Sequence, residues 1–76
     1  MKKEQPLTCF YVGSHIVVSK ICTSRDDSRK LMIFGLIVGT AVTLLQLQPV
    51  VVLQIDYTEV ALDRVLAGNI LGVAKN

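Results

Sequence analysis

Between Leu31 and Ile55 the chain carries no charged residue. A helix over such a run would be long enough to cross a bilayer. The run is punctuated, though, by Gly35, Gly39, Thr40, Thr43, Gln46, Gln48, Pro49 and Gln54. Gly35 follows an apolar segment and suits the left-handed residue that closes a helix. Gly39-Thr40 reads as a turn into a strand, and Pro49 separates two Val/Leu-rich pieces of strand length. No piece is long enough to span, and a strand buried on both faces also reads as a continuous apolar run. The expectation is that the chain is not itself membrane-spanning and that the run divides into a helix end, a turn and two strands.

The flanking sequence supports a β-rich reading. Pro6–Tyr11 forms a leading segment that packs Leu7, and Gly13-Ser14 turns the chain into a strand over 15–22. Ile16 and Val18 share one face, and Ile21 breaks the parity near Lys20, which suggests a bulge or the strand's end. Ser24, Asp26 or Asp27 can cap a short helix through Phe34, with Leu31 and Phe34 on one side. In 41–48, Val42 and Leu44 are even while Leu45 and Leu47 are odd, the parity change a bulge produces. A further strand over 50–56 turns at Asp56-Tyr57-Thr58-Glu59 into Val60-Ala61-Leu62. Asp63 caps one helical turn ended by Gly68, and residues 69–73 close the sheet. The fold class expected is all-β with one short helix, a small barrel of about five strands. The 76 residues form a single domain, with residues 1–6 as a flexible N-terminus.

With 51% hydrophobic residues and no tryptophan, the core must come from Val, Leu and Ile. A net charge of +2 lacks the concentrated positive field that nucleic acid binding requires, so no nucleic acid partner is expected. The Met1–Pro6 segment has a basic start but no apolar run after it, so no secretory signal is read there. Cys9 and Cys22 match neither a redox pair nor paired zinc-ligand spacing. They read as reduced thiols, with a disulfide as the rival.

No nucleophile elbow, phosphate loop or metalloprotease motif is present, so no catalytic residues are expected. Cys9, His15 and Cys22, with Asp26 and Asp27 nearby in sequence, are the residue types that bind transition metals. Structural roles compete with that reading: His15 starts a strand, and the two aspartates suit a helix N-terminus. Arg25, Arg29 and Lys30 are either a solvated face or a partner-binding patch on the helix that stands out from the sheet.

The residues Arg29-Lys30-Leu31, Phe34-Gly35-Leu36, Gly39-Thr40 and Val42 follow a distinctive spacing, and Ala61-Leu62, Ala67 and Ile70 add a second block in the right order. In this the chain resembles the ferrous iron transport protein A (FeoA) family, over most of its length from Gly13 onward. Gly35, Gly39 and Gly68 are then structural turn residues. There are departures: Val38 stands where the family usually has proline, Tyr57 stands near a usual turn glycine, the Pro49 loop is short, and Leu71-Gly72-Val73 is one residue out of step.

The resemblance implies an SH3-like domain in the cytoplasm, a non-enzymatic accessory that binds the cytoplasmic domain of a membrane GTP-binding ferrous iron transporter and modulates it. It implies no cofactor. The alternative is an SH3-like metal-responsive regulatory module that binds a transition metal ion, because similar domains form part of iron- and manganese-dependent repressors. A small membrane subunit is a third reading. Edge strands rich in Val and Leu add homo-oligomerisation as a further expectation.

Overall fold

Alternation of apolar and polar residues builds the sheet. In the computed structural model, which describes residues 3–75, His15–Ile21 forms a strand whose Ile16 and Val18 point into the core. With the two-residue strand Gln5–Pro6 before it, these are β2 and β1. The later strands are β3 (Ala41–Gln46), β4 (Val51–Ile55), β5 (Thr58–Leu62) and β6 (Ile70–Ala74). All pairs are antiparallel, in the order β1-β6-β2-β3-β4-β5.

Both expected bulges are present. The β2–β6 register shifts between Val18 and Lys20, and the β3–β4 register shifts between Leu44 and Gln46. Each bulge bends its strand and lets the sheet curl around one core. Val42, Leu44, Val51, Leu53, Ile55, Val60 and Leu62 line that core, and no buried polar or charged residue is found among the described residues.

Three features differ from the sequence reading. The sheet has six strands, because Gln5 and Pro6 pair with Gly72 and Leu71. The end of the expected flexible lead is therefore ordered, with its proline on an edge strand where a missing donor is tolerated; Met1 and Lys2 lie outside the described residues. The last strand does not close the sheet at its rim but lies inside it, between β1 and β2. No hydrogen-bonded ladder joins β5 to β1 among the described residues, so the SH3-like sheet curls without closing.

The register of β6, left uncertain by the out-of-step Leu71-Gly72-Val73, follows from the β2 bulge. Val17 faces Val73 and Val18 faces Gly72, whereas beyond the bulge Lys20 faces Leu71. This puts Ile70 and Gly72 on the buried face. A Cβ at Gly72 would overlap Ile16 Cγ2 and lie 3.0 Å from the Val17 carbonyl oxygen. Glycine is needed here for close approach, not for an unusual φ.

Two helices flank the sheet, α1 (Arg25–Ile33) and α2 (Arg64–Gly68). Both are capped as their sequences suggest: Ser24 Oγ accepts from the Asp27 N–H at 3.1 Å, and Asp63 Oδ1 accepts from the Leu66 N–H at 2.7 Å. Gly68 does end α2, but without the left-handed conformation a turn glycine would supply. The glycines with positive φ are Gly13, Gly35 and Gly39. Among the described residues no helix is long and apolar enough to cross a membrane; the uncharged run divides into the end of α1, a turn, β3 and β4.

Candidate interaction surface

Of the nine residues of α1, only Leu31 is buried. Arg25, Arg29 and Lys30 are exposed on it, and Arg25 and Arg29 are four apart, hence on one face. Asp26 and Asp27 occupy the first turn, where negative charge meets the positive end of the helix dipole.

The helix ends in a reversal centred on Gly35, whose φ is +86°. The Leu36 N–H donates to the Leu31 carbonyl and the Gly35 N–H to the Met32 carbonyl, each at 2.9 Å. This six-to-one and five-to-two pair satisfies the last free carbonyls, and it brings buried Leu36 against the same core as Leu31. Phe34 was expected beside Leu31 but stays half exposed, because the chain reverses immediately after it and Leu36 takes the inward place.

Met32, Ile33 and Phe34 therefore point outward, as do Ile37 and Val38 in the turn beyond. That turn has the Thr40 N–H donating to the Ile37 carbonyl at 3.1 Å, with Gly39 at φ +97° in its third position. Thr40 Oγ1 donates to the Gly35 carbonyl at 3.0 Å and ties the two reversals together. A Cβ at Gly35 would sit 4.0 Å from Ile55 Cγ2, which brings the helix end beside the β4–β5 hairpin. The two-residue tip of that hairpin, Asp56-Tyr57, has Asp56 at φ +53° and Tyr57 fully exposed.

The apolar end of α1 was missed in the sequence, although a signal was there. Four consecutive apolar residues from 31 to 34 spread around most of a helical circumference, wider than the stripe a surface helix can bury. Some had to face out.

A second feature is an open groove of mixed character, lined by His15, Ala41, Val42, Thr43, Gln54, Asp56 and Lys75. His15 Nδ1 lies 3.0 Å from Thr43 Oγ1, and the two residues are direct cross-strand partners. Both are on the surface, and among the described residues no carboxylate hydrogen-bonds the ring, so the pair lacks the orienting third group of an activated hydroxyl. It acts as a cross-strand contact.

The candidate metal ligands stay apart. Cys9 ends the 3-10 turn Leu7–Cys9, His15 opens β2, and Cys22 follows β2, its N–H donating to the Asn69 carbonyl at 2.7 Å. Both cysteines are free and exposed. Among the described residues no three His, Cys, Asp or Glu side chains are grouped as a metal site would require.

A family model, the FeoA domain, matches residues 5–73. The chain belongs to the FeoA family. The matched region contains both sequence blocks that carry the resemblance, together with α1, the Gly39 turn and all six strands except Ala74, the last residue of β6. No curated protein matches the sequence. Among solved structures, the FeoA domain is similar to the crystal structure of an iron uptake regulatory protein (FeoA), with 20% identity over 96% of this chain and 99% of that one and a TM-score of 0.86. It is also similar to the solution structure of a FeoA-like protein from Clostridium acetobutylicum, with 23% identity over 100% and 92% of the two chains and a TM-score of 0.82. A manganese-dependent transcriptional repressor contains the same fold: 99% of this chain matches 44% of that one, with 18% identity and a TM-score of 0.87. At these identities the solved structures establish the SH3-like fold of the FeoA domain.

Proposed function

We propose that this FeoA domain is a cytoplasmic, non-catalytic accessory of ferrous iron uptake, which binds the cytoplasmic domain of a membrane GTP-binding ferrous iron transporter and modulates its uptake or nucleotide cycle. Family membership implies the role in ferrous iron uptake. The observation that carries a binding role is α1 itself, in which Leu31 is the one buried residue while Arg25, Arg29 and Lys30 remain in solvent. Three cations on one protruding helix suit an acidic partner surface, where complementary charge speeds encounter and fixes orientation. The Arg25 and Arg29 guanidinium groups can also grip carboxylates in bidentate fashion.

The test is titration of the transporter's soluble cytoplasmic domain with this protein, in the absence of lipid. The paired change Arg29→Glu and Lys30→Glu should weaken binding by roughly tenfold or more through introduced like-charge contacts. Its melting temperature should stay near the parent's, because both side chains are exposed. Absence of binding by the parent domain would overturn the reading.

A further inference from the structure

We propose that the apolar end of α1, together with the turn that follows it, is a contact for an anionic lipid surface. Ile33 is 77% exposed and Val38 60%, and Met32, Phe34 and Ile37 are each about half exposed beside them. They lie on either side of the Gly35 reversal, which Thr40 Oγ1 pins to the following turn. The five exposed side chains are thus gathered at one end of α1, an apolar tip of a kind that water-facing surfaces seldom carry without use.

Shape and charge choose the occupant. The tip is a helix end and a turn whose side chains stand out into solvent, and a protein partner would have to supply a matching hollow. The boundary between headgroups and acyl chains accepts a protruding apolar wedge without one. Arg29 lies three and four residues before Met32 and Ile33, and Lys30 lies three and four before Ile33 and Phe34, so each is a surface neighbour of the tip. Their aliphatic stems can lie along the apolar surface with the charged heads at the level of lipid phosphates. The helix's own acids, Asp26 and Asp27, are in its first turn, at the opposite end. Tyr57, fully exposed on the adjoining hairpin, adds an aromatic ring with a polar tip, the residue type that favours the membrane interface. Its neighbour Asp56 lines the open groove with His15 and Lys75.

This contact does not depend on the transporter reading. Its test is co-sedimentation with vesicles of phosphatidylcholine alone, or of phosphatidylcholine mixed with phosphatidylglycerol, with no transporter present. The parent should pellet with the phosphatidylglycerol vesicles and be released by high salt. Arg29→Gln with Lys30→Gln should lower the partition roughly thirtyfold, at about 1 kcal/mol per basic residue near an anionic surface. Ile33→Gln with Val38→Gln should abolish binding with the thermal transition unchanged, since both positions are exposed. A parent that stays in the supernatant with phosphatidylglycerol vesicles overturns the proposal, as does a 33/38 variant that binds like the parent. If that variant instead loses the transporter's soluble domain without lipid, the tip is a protein contact. The vesicle assay contains no transporter and the transporter assay no lipid, so failure of one leaves the other standing.

Discussion

Gly72→Ala adds a single methyl group where β6 passes close to Ile16 and the β2 backbone. The new Cβ would overlap Ile16 Cγ2, lie 3.0 Å from the Val17 carbonyl oxygen and 3.6 Å from Leu7 Cδ2. Ile16 and Leu7 are both fully buried, so neither can swing into solvent. The carbonyl belongs to β2, which is paired with β6 on both sides of this point, so relief requires the two strands to separate. Overpacking of this kind costs about 1–3 kcal/mol, and an immovable backbone neighbour places it near 3. The smaller unfolded-state entropy of alanine returns roughly 0.4–1 kcal/mol, leaving a net loss of about 2–2.5. At roughly 4–8 °C per kcal/mol for a domain of this size, the melting temperature should fall by about 8–20 °C. Thermal unfolding followed by circular dichroism measures it directly. Ile16→Leu removes the Cγ2 branch and should alone cost under about 1.5 kcal/mol. Combined with Gly72→Ala it should recover about 1 kcal/mol relative to additivity. A Gly72→Ala domain melting within a few degrees of the parent would refute the close approach. A large loss that Ile16→Leu does not relieve would show that Ile16 is not the obstacle.

Three further outcomes can be checked. In the Ile37–Thr40 turn, Val38→Pro should stabilise by about 0.4–1 kcal/mol, because proline suits the second position of a turn with glycine third. Gly39→Val should destabilise by about 1–3 kcal/mol through φ alone, since nothing lies within 4 Å of a Cβ there. Thermal melts of the two variants should therefore move in opposite directions. Isothermal titration of the parent with ferrous iron should give no stoichiometric binding that depends on Cys9, His15 and Cys22, which are not grouped as a metal site; tight binding abolished by alanine at these three positions would contradict that arrangement.

What could be read from the sequence was what neighbours along the chain decide. The Ser24 cap, the Gly35 reversal and the Gly39 turn each depend on a few consecutive residues, and both bulges showed as parity changes within one strand. The place of β6 could not be read this way, because strand order depends on pairings between segments far apart in sequence. The same holds for Gly72, whose role depends on Leu7 and Ile16 arriving from β1's end and from β2. The exposure of Phe34 was hidden for another reason: hydrophobicity marks a residue as able to be buried, and the Gly35 reversal decides that Leu36 is buried instead. Of the candidate interaction surface, the basic residues were visible and the apolar tip was not.

That Leu31 is the one buried residue of α1 has a consequence for motion. Burying one leucine contributes about 1.5–3 kcal/mol, a fraction of what holds the sheet together. The helix can therefore open as a local unit while the strands stay paired, and its amide protons should exchange well before those of β2 and β3. Whatever surface it meets would slow that exchange, so binding at this end would be felt as a quieting of the helix before any rearrangement of the sheet.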